Sequence, residues 1–286
     1  MNICYGARTL QVLLMLAPLI FGTGCATRDK GSNAGAGAGA GTGSAPSPPI
    51  AADYAYLTGN WKFAARDSKA APTAAPDVFA GVVYEQGGET LPHFATSVLR
   101  STSPCFTGAT VLPSDGSVDS SSLQLASFSV LSQVLTIGVQ KDSAAQALTG
   151  TYSIAGGACA GQTGTLTGQK YAAVNGSYSG FFDPAAKRSV VLDLTENEGG
   201  TGEGTFVLSG NANFSGLSCI TTGTIDPSES FVSGSDISVS VMANASTTVL
   251  LNGTIDPTAK TVQLQSTTIT GGTCATTFSG GTLTRS

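Results

Sequence analysis

The residues with chemistry to offer are few: six cysteines, one histidine and one acidic cluster in a chain of 286. A nucleophilic triad needs His93, the single histidine, beside a serine or cysteine and a carboxylate. No Gly-x-Ser-x-Gly elbow marks a nucleophile, and His93 follows Pro92 in the setting of a strand end. Metal sites built on several histidines are excluded, and no cysteine pair has zinc-finger spacing. Glu196-Asn-Glu198-Gly-Gly-Thr-Gly-Glu203 gathers three carboxylates, yet it lacks the Asp-x-Asp-x-Asp-Gly rhythm of a calcium loop. It reads as a hairpin loop between strands at 190–195 and 205–209. The sequence therefore predicts no catalytic residue, no metal and no cofactor, and an enzyme is not expected.

The cysteines carry more information. Cys4 and Cys25 lie at the N-terminus, which leaves Cys105, Cys159, Cys219 and Cys274. Four cysteines permit three connectivities. An internal repeat selects one of them. Ile154-Ala-Gly-Gly-Ala-Cys159-Ala matches Ile269-Thr-Gly-Gly-Thr-Cys274-Ala, and Ser103-Pro-Cys105 matches Leu217-Ser-Cys219. Gly59-Asn-Trp61 matches Gly176-Ser-Tyr178, and the three offsets are 115, 114 and 117 residues. A unit duplicated with its own bridge keeps that bridge, so Cys105–Cys159 and Cys219–Cys274 are the expected disulfides. Such bonds belong to an oxidising compartment.

The elements that position these residues are strands. Gly (37) and Pro (12) are abundant, charged residues make up 11% and aromatic residues 7%, a profile opposed to helical bundles. Apolar residues recur at spacing two in Val190-Val-Leu-Asp-Leu-Thr, Ile237-Ser-Val-Ser-Val-Met and Thr261-Val-Gln-Leu-Gln-Ser. Turn chemistry separates such runs at Asp115-Gly, Gly156-Gly, Asp183-Pro, Asp226-Pro, Asp256-Pro and Gly271-Gly. The expected fold is all-β: two tandem repeats of about 115 residues, each a sandwich or meander barrel of seven or eight antiparallel strands. The repeats are assigned to residues 53–170 and 171–286. A membrane-spanning barrel would need an apolar band and aromatic girdles, which seven Tyr and one Trp do not supply. The net charge of −5 gives no basic footprint for nucleic acid.

Residues 1–24 read as a secretory signal: Arg8, an apolar run over 10–21, then Gly22-Thr-Gly-Cys25. Twelve helical residues rise about 18 Å, short of a hydrocarbon core of about 30 Å. Gly24-Cys25 resembles the lipobox of bacterial lipoproteins, although Gly22 stands where that family usually has Leu. The resemblance implies that Cys25 is acylated and anchors the chain in a membrane; Ala26, rather than Asp, implies the outer membrane. Residues 25–52 then form a Gly/Ala/Pro-rich tether, spanning about 30 Å as a flexible coil.

Leu57-Thr-Gly-Asn-Trp61 resembles the opening strand of lipocalin-like barrels, and Ala147-Leu-Thr-Gly-Thr-Tyr-Ser153 resembles a meander strand of avidin-type barrels. That resemblance implies Trp61 as the plug of a ligand cavity, with Tyr178 replacing it in the second copy. Two functions follow as expectations. The first is a non-enzymatic interaction or structural module of the cell envelope, with a protein or glycan partner. The second is binding of a small hydrophobic ligand inside a calycin-like barrel.

Overall fold

A computed structural model describes residues 57–86, 93–119, 121–141, 147–198 and 201–286. The expected signal, Cys25 and the tether lie outside the described residues. No α-helix occurs among the described residues.

The first copy opens with β1 (Gly59–Asp67), β2 (Asp77–Gln86), β3 (His93–Ser101) and β4 (Leu112–Val118). It continues through β5 (Ser122–Ser127), β6 (Val134–Lys141), β7 (Ala147–Ala155) and β8 (Gln162–Tyr171). Each strand pairs antiparallel with its predecessor, and β8 returns to β1 with Phe63 opposite Gly168. The meander thus closes as an eight-stranded barrel, which leaves no free edge.

The second copy begins with β9 (Gly176–Asp183), β10 (Arg188–Asn197) and β11 (Phe206–Ser215). Two short strands, β12 (Thr222–Ile225) and β13 (Phe231–Ser233), share the next place, interrupted at Asp226-Pro227. Proline has no N–H to give a ladder, and the Asp226 carboxylate instead accepts from the Ser228 N–H and hydroxyl. Then follow β14 (Asp236–Asn244), β15 (Thr247–Ile255) and β16 (Thr261–Thr270). The last place is shared by β17 (Thr276–Ser279) and β18 (Thr282–Arg285). Pairing of β10 with β11 and of β18 with β9 closes this barrel too.

Alternation fills each barrel from its walls. In the first, Trp61, Phe63, Phe79, Leu99, Leu123 and Ile137 are buried in one cluster. In the second, Tyr178, Phe182, Leu192, Phe214, Val241 and Leu251 form another. Each such side chain contributes about 1.5–3 kcal/mol when fully buried.

The expected disulfides are both present, with Cα–Cα distances of 5.8 Å for Cys105–Cys159 and 6.1 Å for Cys219–Cys274. In an up-and-down barrel, connections after odd-numbered places share one end. Each bridge therefore ties the third connection to the seventh across the same end of its copy. The repeated Gly-Gly has a physical reason there: φ is +78° at Gly156 and +76° at Gly271. A Cβ would lie 2.4 Å from the Ser132 carbonyl in the first case and 1.7 Å from the Ser246 carbonyl in the second. Asp115-Gly116 corrects an expectation. It is no turn but the middle of β4, where a Cβ on Gly116 would meet the Gln124 carbonyl of β5.

The two barrels make one compact unit. The entry end of the second, which carries the β13–β14 turn, rests on the outer wall of the first, formed by β1, β2 and β3. Val82 points out of that wall and belongs to the buried cluster of the second barrel, with Tyr84 packed against it. One copy's wall thereby covers the other copy's mouth.

Candidate functional site

Trp61 and Tyr178 hold equivalent places on the first strand of each copy, and both are buried. The Trp61 indole N–H donates to the Leu57 carbonyl at 2.6 Å, and the ring stacks on Phe63 with centroids 5.8 Å apart. The Tyr178 hydroxyl donates to the Ala259 carbonyl at 2.6 Å, fastening the turn between β15 and β16. Burial pushes its phenol above the usual tyrosine range. Each polar tip is spent on backbone, and each ring belongs to the buried cluster of its barrel.

His93 opens β3 as a strand-end residue, buried, with Nδ1 2.5 Å from Glu85 Oε1. Two alternations further along the same face, the buried Ser97 hydroxyl finds no hydrogen-bond partner among the described residues. The acidic cluster divides. Glu196 lies at the end of β10 and accepts from the Val174 N–H at 2.7 Å, while its own N–H donates to Asn175 Oδ1 at 2.8 Å. It laces the inter-barrel linker to the second barrel, and burial raises its carboxyl above the usual carboxylate range. Among the described residues, no three His, Cys, Asp or Glu side chains converge as metal ligands.

Two recesses lie on the outside of the barrels, and two smaller ones, of about 290 Å³ and 350 Å³, sit beside the disulfides at the barrel ends. A groove of about 730 Å³ runs along the outer wall of β6, β7 and β8. Its floor holds Gly138 and Gly164 among Thr136, Thr151, Thr163 and Thr165, and residues 66–72 form one bank. Arg66 fixes that bank by donating to the carbonyls of Pro72 at 2.8 Å and Ala74 at 3.1 Å.

A second cleft, of about 430 Å³, lies in the seam between the copies. The first copy supplies Val78, Ala80, Arg100, Ser101 and Thr102. The second supplies Phe231, Ser233, Asp236, Ser238, Asn252 and Gln265 among others. The seam beside it is built by specific contacts. Asn60 exchanges two hydrogen bonds with Gly234, and Lys62 Nζ donates to Ser235 Oγ at 2.8 Å. The Arg100 guanidinium sits 5.0 Å from the centroid of the Phe231 ring.

None of these seam residues was singled out from sequence. The available signal was Val78-Phe-Ala-Gly-Val-Val-Tyr84, an unbroken apolar run where a half-buried strand would alternate. Such a run marks a strand covered on both faces. Comparison of the chain with protein-family models, with curated proteins and with solved structures finds no match.

Proposed function

We propose that this is an exported envelope protein, anchored through acylated Cys25, whose paired barrels act as a non-enzymatic interaction module. The observation that carries this reading is the division between inside and outside. Each barrel encloses a cluster of its own buried side chains, whereas two recesses, of about 730 Å³ and 430 Å³, open on an outer wall and in the seam. A partner is then recognised on the surface. Exposed Phe94, Phe128 and Leu131 add apolar contact area on the first copy. Two disulfides suit an oxidising compartment, which supports export.

The anchor is tested by membrane fractionation of the full chain. Cys25→Ala moves the protein from the membrane to the soluble fraction if Cys25 carries the lipid; unchanged fractionation removes the anchor from the account.

Ligand binding within a barrel is the second reading. Its support is closure at eight strands, a size that holds one small ligand in other barrels, together with the unpartnered Ser97 hydroxyl facing into the first barrel. In the second barrel, a ligand would have to enter at the disulfide end, because the wall of the first copy covers the other.

A further inference from the structure

We infer that the seam cleft is a binding site for a neutral saccharide, assembled only where the two copies meet. The inference rests on the surface-recognition reading above and gives it a ligand class.

Charge points away from ions. The cleft is lined by one guanidinium, Arg100, and one carboxylate, Asp236. An anion drawn to Arg100 meets Asp236, and a cation drawn to Asp236 meets Arg100, so neither sign is favoured. The chain's net charge of −5 further disfavours an anion.

Hydrogen-bonding capacity stands ready instead. The side chains of Ser238, Asn252 and Gln265 line the cleft and make no hydrogen bond among the described residues. Arg100 is held over the Phe231 ring, which leaves its N–H fork available to donate. Asp236 accepts a single weak bond, from the Ser235 hydroxyl at 3.2 Å, and keeps other lone pairs free. Guanidinium donates, carboxylate accepts and amides do both. That set matches vicinal hydroxyl pairs, in which each oxygen both donates and accepts.

The remaining wall is apolar: Val78 and Ala80, with the half-buried Phe231 ring beside them. A pyranose presents the same duality, a C–H face and a rim of hydroxyls. The volume of about 430 Å³ falls within the roughly 300–1,000 Å³ of small-molecule sites. The glycine-floored groove on the first barrel offers threonine hydroxyls without an amide pair or a free guanidinium, so the seam is the better match.

The test is saturation-transfer NMR on the full chain with maltotriose, chitotriose and cellotriose, and trigalacturonate as the anionic comparator. At least one neutral probe should receive saturation, and Arg100→Ala and Gln265→Ala should each weaken its binding five- to tenfold. Both side chains are exposed, and a thermal melt checks that each variant folds. Thr151→Ala, in the other groove, should leave binding unchanged. No transfer to any neutral probe overturns the inference, as does transfer to trigalacturonate alone. Transfer that survives both seam substitutions but is lost in Thr151→Ala overturns the seam and leaves surface recognition standing. Transfer lost only on substitution of Trp61 overturns both.

Discussion

The Asn60 side-chain amide meets the backbone of Gly234 in both directions, across 174 residues of sequence. Its Nδ2 donates to the Gly234 carbonyl at 2.9 Å, and its Oδ1 accepts from the Gly234 N–H at 2.5 Å. The pair is buried, so neither partner has water as a substitute. This clasp holds the β13–β14 turn of the second barrel on β1 of the first, beside the seam cleft.

Breaking the clasp should loosen the seam. Asn60→Ala leaves a buried carbonyl and N–H unsatisfied, at about 1–3 kcal/mol. Gly234→Ala acts from the other side, because φ is +55° and a Cβ would lie 2.7 Å from the Ala80 Cβ. Denaturant titration of each variant should show a loss of that order; a change within a few tenths would show that the copies do not depend on this contact.

The bridges should be confined to their own copies. Non-reducing peptide mapping should join Cys105 to Cys159 and Cys219 to Cys274. Closing a loop of that size stabilises by about 4 kcal/mol on the chain-entropy model, so reduction should lower the denaturation midpoint strongly. A Cys105–Cys219 peptide would contradict the independent closure of the two barrels.

The tight turn after β5 is expected to carry strain. Leu131 has φ +53° and Ser132 has φ +61°, closed by the Val130–Gln133 bridge. A left-handed leucine costs about 1–2 kcal/mol, and 54% of Leu131 stays exposed, so packing returns little. Leu131→Gly should therefore raise the melting temperature by a few degrees. A fall would mean that the leucine makes contacts which outweigh its conformation.

Glu196 sets a pH dependence with a definite sign. Burial raises its folded-state carboxyl, so its contribution to stability is full below the unfolded value near 4.5 and is lost as pH rises through the folded value. Glu196→Gln keeps an oxygen for the Val174 N–H without the charge. The variant should gain on the parent between pH 4 and pH 7 in denaturant titrations; a constant difference would remove the burial argument. Asp119 acts in the opposite sense. The N–H groups of Ser121 and Ser122 and their hydroxyls hold it down at about 2, so its contribution is present above its unfolded value of 3.8 and fades as pH falls toward 2.

Strand identity, duplication and bridges were legible because each leaves a local mark: spacing-two alternation at Val190–Thr195, Cys pairs at matching offsets, Gly-Gly before the second cysteine. Barrel closure was not, since a sandwich and a barrel share the same alternation and differ only in whether β8 finds β1. Asp115-Gly misled because glycine serves a close strand approach as readily as a turn. The seam was hidden for another reason. Asn60 and Val82 sit on the outward phase of their strands, where alternation predicts solvent, and only packing of one copy on the other covers them. Trp61 and Tyr178 were found at equivalent places, but what their polar tips touch depends on Leu57 and Ala259, which no spacing rule selects.

Recognition on the outer surface of the barrels is most directly tested by native mass spectrometry of the full chain isolated from a cell envelope, before and after denaturation. The account predicts one mass, carrying two disulfides and the lipid on Cys25, with no apolar molecule released. An apolar molecule that co-purifies, leaves on denaturation and is absent from a Trp61→Ala or Tyr178→Phe variant would contradict it.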